Sequence, residues 1–386
     1  MSSEHRGRIF KLLLILATVF CLTLFSFKYL KYVHPEVTAV STTDFPNYFF
    51  AGKRLLTGDL IYRPFNDELE SLTGATGYRA YTADTPLTIL LLSPLSELDI
   101  AYAAHTLNII SVLLLSLSIF VVSMHCGFSF LACFFFTALS LSSHAFLFLL
   151  KRCHMESVLL FLAIYGFIRL SKGTPGICGF LWGLAASLKL FPLMWLLPYF
   201  RTKSKRALFF SGILSFLFFS SISFFVVGGE NFRVFVFEVI PKSAQWYGTA
   251  GNYSIISFFT ALLGYDTAVM PSIFVCLLLL VYFLKLIFTH DISDKRAYAV
   301  STSAALLLSP LSWLNYLILI FPALIFIAET YRKESLKNLW PFILLIIIFW
   351  NWPDYIDSHW RSLTVVLSFM PMFASASVFL YFQRRL

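Results

Sequence analysis

Apolar runs of about 20 residues recur along almost the whole 386-residue chain, and each is long enough to cross a bilayer core of about 30 Å. Hydrocarbon offers no partner to an exposed peptide group, so such runs must pair their backbone internally and form helices. The expected fold is therefore all-α: a polytopic transmembrane helical bundle forming one integral membrane domain over residues 1–386. The expected membrane segments, about 10–12 in all, are 9–28, 101–124, 129–150, 156–170, 176–188, 191–200, 207–228, 268–289, 297–309, 314–330, 338–352 and 363–382. Composition agrees, with 59% hydrophobic and 13% charged residues against roughly 45–50% and 25% in soluble domains. A cytosolic globular protein is excluded.

The net charge of +9 raises the question of a nucleic-acid partner, and its distribution answers it. With a cytoplasmic N-terminus, one face receives 16 basic residues, among them Arg169, Lys172, Lys203, Lys205, Lys295 and Arg332, against 5 acidic ones. The other face takes 11 basic and 15 acidic residues. A bias of basic residues to the cytoplasmic side explains the charge without nucleic acid and predicts a multi-pass protein of the cell (plasma or inner) membrane. Residues 9–27 have near full span length and are followed by Lys28 and Lys31 rather than a small-residue cleavage site, so they read as a retained first span. The six Cys show no CxxC or Cys/His spacing and lie mostly in apolar runs; neither a metal nor a disulfide is expected.

Two pairs of segments, 176–200 and 297–330, have basic flanks at both ends and must enter and return. Their breaks fall near Lys189-Leu-Phe-Pro192 and Ser309-Pro310-Leu-Ser-Trp313. Broken helices are tolerated where the freed backbone faces protein or a water-filled cavity, so both are cavity candidates. Longer hydrophilic stretches, 29–86 and 229–252, with the shorter 151–155 and 353–362, fall on the extracytoplasmic side. No Walker A, GxGxxG, repeat or soluble domain is present, which argues against an ATP-driven pump and a nucleotide-sugar enzyme on a Rossmann scaffold.

The richest polar stretch runs from Thr42-Thr-Asp44 to Tyr62. Asp44 precedes an amphipathic segment, with Phe45, Tyr48, Phe49, Ala51 and Leu55, of the kind that lies along a membrane surface. Asp44 has two readings, an N-cap accepting backbone N–H bonds and a general base beside the membrane. Asp59 after Gly58 reads as turn chemistry. Lys151, Arg152 and His154 stand at a helix start, where the plain reading is an interfacial charge cluster capped by Glu156. His105 and His144 read as isolated imidazoles on apolar helices. Trp246-Tyr247, Trp350, Trp352 and Trp360 read mostly as interfacial belt.

Taken together, these segments resemble a known family, the polytopic GT-C glycosyltransferases that use polyprenyl-phosphate sugars, and specifically the mannosyltransferase-like glycosyltransferase family 87. Asp44 to Tyr62, ending Gly58-x-x-x-Tyr62, looks like that family's first extracytoplasmic loop. Pro86 with Ser93-Pro94-Leu95 resembles its Pro-rich segment. Gly183-Leu-Ala-Ala-Ser-Leu-Lys189-Leu-Phe-Pro192 resembles its Lys-x-x-Pro re-entrant segment, Gly251-Asn252-Tyr-Ser254 its Asn-x-Ser motif, and Ser309-Pro310-Leu-Ser-Trp313 its late Ser-Pro-x-x-Trp motif. Two positions depart: Asp84-Thr-Pro86 stands where Tyr-Pro-Pro is usual, and Leu314-Asn315-Tyr316 where a His often follows the late Trp.

The resemblance implies transfer of a hexose, mannose by family default, from a polyprenyl-phosphate sugar to a hydroxyl of a glycolipid or glycan on the extracytoplasmic face, among membrane lipids. The reaction would be an inverting displacement with no metal or cofactor. Asp44 matches the base that takes the acceptor proton. Lys189, with His154 and Arg152, would stabilise the charge growing on the leaving phosphate; the plainer reading of Lys189 is an ammonium snorkelling to an interface. Tyr48, Asn252, Trp313 and Asn315 are the expected acceptor or sugar contacts. Residues 29–86 would roof an outward-facing cavity that the donor enters laterally between helices. The rivals are a secondary transporter or lipid flippase, weakened by the lack of an acidic residue in the interior of an expected span and of matching halves, and a non-catalytic membrane scaffold.

Overall fold

The computed structural model describes residues 3–39, 44–66, 68, 70, 82–247, 251–290, 292–333 and 369–383. Segment 338–352, Thr42, Thr43, Trp350, Trp352 and Trp360 lie outside the described residues. The described chain is helical throughout, with one isolated antiparallel bridge between Asn252 and Trp313. Among the described residues, five helical stretches are long and apolar enough to cross a membrane, Arg8–Ala39, Ile100–His125, Lys203–Val227, Tyr265–Thr289 and Leu314–Arg332. A sixth forms if Phe130–Leu141 and His144–Arg152, bent by 55° at their junction, are counted as one span.

Helix α1 (Ser3–Lys28) carries Phe10, Leu13, Leu16, Val19 and Phe20 exposed around its circumference, as a lipid-facing helix must. It continues through one π turn, Tyr29–Val33, into α2 (His34–Ala39), so the first span runs some ten residues beyond its expected end, with Val33 and Val37 buried against the bundle. Surface helix α3 (Phe45–Thr57) buries Phe45, Tyr48, Phe49 and Ala51 and stops at Gly58, whose φ of 76° is left-handed backbone that glycine adopts without strain. Then follow α4 (Pro86–Leu92), α5 (Ile100–His125), the bent pair α6 (Phe130–Leu141) and α7 (His144–Arg152), α8 (Glu156–Ser171), α9 (Pro175–Leu188), α10 (Arg206–Val227), α11 (Ile255–Leu263), α12 (Tyr265–Thr289), α13 (Asp294–Leu308), α14 (Phe321–Lys333) and α15 (Met370–Gln383).

Both expected breaks are present. Helix α9 ends at Leu188, Lys189 after it is extended, and the chain continues in 3-10 turns over Phe191–Trp195 and Leu197–Tyr199. Its last carbonyls are met from α4: the Thr85 hydroxyl lies 2.9 Å from the Ser187 and Leu188 oxygens, and Thr88 donates to Leu188 O at 2.8 Å. This supplies the partners that a helix C-terminus otherwise lacks. Helix α13 ends at Leu308 and resumes as a 3-10 turn at Leu314–Ile320 before α14.

Gly179 and Gly183 let α9 touch the backbone of α10. A Cβ on Gly183 would stand 2.1 Å from the Gly212 oxygen, and one on Gly179 2.0 Å from the Leu208 oxygen. Ser211 and Ser215 of α10 donate across the same contact to Gly176 O and Phe180 O, each at 2.8 Å. Small residues and interhelical hydroxyl bonds hold helices together where no hydrophobic force separates protein from lipid.

Polar groups gather at two ends. One end holds the ion pairs Lys205–Asp294 at 2.6 Å and Lys295–Glu329, and Arg332 donates there to the Cys126 and Gly127 oxygens. Helix α8, 16 residues long and so about 24 Å at 1.5 Å per residue, leads from this end to the other. There, residues 44, 84, 151–156, 189, 252 and 313 converge.

Candidate active site

Asp44 begins the site. It stands at the N-cap position of α3 but its side chain makes no capping bond, so the plainer of its two readings does not hold. Its side chain is instead drawn toward the α7–α8 connection. Oδ2 lies 3.0 Å from His154 Nε2 and Oδ1 3.3 Å from an Arg152 nitrogen. Asp44 and Arg152 are each about a third exposed, at 36% and 35%, whereas His154 retains 11%. The open side of the site is therefore the Asp44–Arg152 side, with the imidazole behind it.

The connection achieves this with a strained turn. Cys153, at φ 53°, is the one non-glycine residue with positive φ among the described residues, a conformation uncommon for a side chain with a Cβ. It reverses the chain at the end of α7 and sends His154 inward. His154 Nδ1 lies 2.9 Å from the Tyr48 hydroxyl, and Tyr48 is buried on the inner face of α3. Both ring nitrogens are thus engaged by protein. Facing a carboxylate that only accepts, Nε2 carries a proton.

Charges continue inward. Glu156, expected as a helix cap, caps nothing: the N-cap residue of α8 is Met155 with no side-chain bond. The Glu156 carboxylate is fully buried, 3.8 Å from both His154 Nδ1 and Lys189 Nζ, with no hydrogen bond to either oxygen. Lys189 does not snorkel. Its side chain is 12% exposed, and the ammonium pairs with Asp84 at 2.5 Å and lies 3.5 Å from the Tyr316 hydroxyl. Tyr62, the end of the Gly58-x-x-x-Tyr62 pattern, donates to the Asp84 carbonyl at 2.9 Å.

The result is a row of alternating charges: Arg152, Asp44, His154, Glu156, Lys189, Asp84. Burial by itself would raise the Asp44 carboxyl, but the His154 hydrogen bond and the charges of His154, Arg152 and Lys189 outweigh it and hold the carboxyl below its usual value. Burial also works against a charged His154, yet Glu156 and Asp44 raise it above the ordinary histidine value. The pair favours carboxylate and imidazolium together.

Asn252 and Trp313 meet beside this row. Asn252 Nδ2 lies 3.2 Å from Pro310 O and 3.3 Å from Trp246 O, while Oδ1 accepts from Ser312 N at 2.9 Å. Ser254 Oγ donates to Pro310 O at 3.0 Å, and Tyr253 N and Leu314 N complete the clasp with Ser312 O and Gly251 O. The two motifs read separately in sequence are one clip across the α13 break. Gly251 sits between the Trp313 and Phe148 rings, and the Arg152 guanidinium lies 5.5 Å from the Phe148 centroid, which joins the clip to the charged row. Asn315 is fully buried and neither amide atom has a partner. Asp59 is plain turn chemistry, exposed and accepting from Thr57 at 2.7 Å, and the His105 ring lies tilted against that of His34, centroids 5.3 Å apart. Among the described residues, no group of three His, Cys, Asp or Glu is placed to hold a metal ion.

Sequence reasoning did not place Asp84, Glu156 or Tyr316 in the site. Asp84 was visible as a departure from Tyr-Pro-Pro, and Glu156 as a carboxylate at the first residue of an apolar helix, where an acid is expensive unless it has cationic neighbours.

No curated protein matches the chain significantly. Residues 81–311, more than half of the chain and inclusive of Asp84, His154, Glu156, Lys189 and Asn252, match glycosyltransferase family 87. With its multi-helix apolar bundle and its charged row at one end, the chain belongs to glycosyltransferase family 87 and is a membrane glycosyltransferase.

Proposed function

We propose that the protein transfers a hexose, mannose by family default, from a polyprenyl-phosphate sugar to a glycolipid or glycan hydroxyl on the extracytoplasmic face, with a GT-C architecture, inversion at the sugar carbon and Asp44 as general base. The observation that carries the reading is the placement of Asp44: a carboxylate whose side chain has no capping duty, held by His154 and Arg152 and about a third exposed. A hydroxyl becomes acidic as its bond to the sugar carbon forms. A carboxylate within reach then takes the proton, while the sugar–oxygen bond to the lipid phosphate breaks and the electron pair stays on the phosphate.

Charge grows on that phosphate, and fixed cations stabilise it. Arg152, at the opening, meets it first. Lys189 reaches it once Asp84 gives up its ammonium to the incoming anion. His154 serves the base rather than the phosphate, because Asp44 and Tyr48 occupy its two nitrogens. Asn252 acts through Trp313, since its amide is spent on the clip, which leaves Trp313 and the unpartnered Asn315 as the groups proposed to meet sugar or acceptor. The extracytoplasmic orientation rests on the basic residues gathered at the opposite end.

The test is transfer of radiolabelled sugar from synthetic polyprenyl-phosphate mannose and glucose to an envelope lipid extract by protein in nanodiscs. Asp44→Asn keeps shape and removes the base, so transfer should fall by about 10²–10⁴-fold with the elution profile and melting behaviour unchanged. Equal transfer by a folded Asp44→Asn variant would take Asp44 out of the mechanism.

A further inference from the structure

The Glu156 carboxylate is the charge that the reaction leaves unexplained. It is wholly buried, and neither oxygen accepts a hydrogen bond. Removing a carboxylate from water costs several kcal/mol even after relaxation, and a glutamine of the same shape would fill the position without that cost. What distinguishes the acid from the amide is its charge, and that charge faces the ring that holds Asp44.

The groups around His154 come from every neighbouring element: Asp44 just before α3, Tyr48 on α3, Arg152 at the end of α7, Glu156 at the start of α8, and Lys189 after α9 with Asp84 behind it. Nε2 is committed to its proton by Asp44. Nδ1 has a choice, because the Tyr48 hydroxyl beside it can accept from a protonated nitrogen or donate to a bare one. A negative charge 3.8 Å from Nδ1 favours the protonated nitrogen, and a neutral amide at that place would not.

We propose that Glu156 is a positioning residue for Asp44: its buried negative charge keeps the His154 ring doubly protonated, and the doubly protonated ring holds Asp44 ionised and turned toward Arg152 and the opening. The inference rests on Asp44 as the base, but the protonation of His154 does not, and the two can be separated by measurement. Asp44 then waits as a weak base beside an imidazolium, and takes the acceptor proton only as the new bond makes the hydroxyl acidic. A positive ring next to Asp44 also balances the anionic donor phosphate, in a row that already holds three carboxylates.

The test compares wild type, Glu156→Gln and Glu156→Asp in nanodiscs, with carbon-13 labelled histidine. The His154 signal is assigned by its loss in His154→Gln, and its titration is followed by NMR without substrate. In Glu156→Gln the His154 midpoint should move to lower pH, since the charge that favours the imidazolium is gone, and Glu156→Asp should recover part of the shift. The alkaline limb of kcat/KM should move the same way, because activity is lost where His154 loses its second proton. Glu156→Gln has the native shape and one buried charge fewer, so it should fold. An unmoved midpoint in the folded Gln variant overturns the proposal. A midpoint that moves while the alkaline limb stays fixed overturns the link from His154 to Asp44. Should the wild type transfer no sugar, the NMR midpoint still decides whether Glu156 sets the charge of His154, and the failure falls on the proposed reaction.

Discussion

At the residue scale, Lys189 and Asp84 form a pair whose two members have different work. Asp84 gives the ammonium a partner while no phosphate is bound, and Lys189 is the deeper of the two cations proposed for the lipid phosphate. Removing one charge of a buried pair strands the other, at a cost of about 3–5 kcal/mol. Lys189→Met should therefore lower the thermal stability of the detergent-solubilised protein and abolish transfer. Adding Asp84→Asn should restore most of the stability and none of the transfer. A double variant that transfers like wild type would show that Lys189 does not touch the phosphate, and one that melts as early as the single variant would show that the pair is not what stabilises this corner. Cys153 belongs to the same scale. Its positive φ stores strain at the very residue that turns His154 inward, and strained backbone of this kind persists where the surroundings over-determine it.

At the element scale, the site depends on two broken helices held open by neighbours. Thr85 and Thr88 bind the end of α9 where Lys189 emerges, and Asn252 with Ser254 binds the break after α13. Behind them, the α9–α10 contact is backbone on backbone and has no room for a methyl group. Gly183→Ala puts a carbon 2.1 Å from the Gly212 oxygen, so the helices must separate, with an overpacking cost of about 1–3 kcal/mol. Thermal unfolding should show that loss, and transfer should fall with it because Lys189 rides on the same helix. A variant with unchanged melting would mean that α9 can shift without effect on the bundle.

At the scale of the whole molecule, the charged row and the basic ion pairs lie at opposite ends of helices such as α8. If the basic end is cytoplasmic, Asp59, exposed on the turn after α3, faces outward, and Lys203, exposed before α10, faces inward. In intact cells, a membrane-impermeant maleimide should label Asp59→Cys directly and Lys203→Cys only after permeabilisation. The reverse pattern would invert the orientation and place sugar transfer in the cytoplasm, where a polyprenyl-phosphate donor facing outward is out of reach.

Much of this protein is legible in its sequence. Span-length apolar runs can only be helices in hydrocarbon, so the all-α bundle follows from hydropathy, and both helix breaks follow from proline and basic flanks around segments too short to cross twice. Asp44, Arg152, His154 and Lys189 stand out by position, before an amphipathic segment, at a helix start and beside a proline break, and their expected roles come from the family resemblance. Their arrangement was not legible. That Asp44 turns away from its own helix, that Lys189 is held by Asp84 some 105 positions away, and that Glu156 faces inward rather than capping α8 depend on which helix ends meet. Hydropathy marks which stretches are helical and says nothing about their rotation or their neighbours. In a bundle whose surfaces are apolar on every side, those are settled by close contacts such as Gly183 on Gly212 and by the pairing of buried charges, and both exist only once the chain has folded.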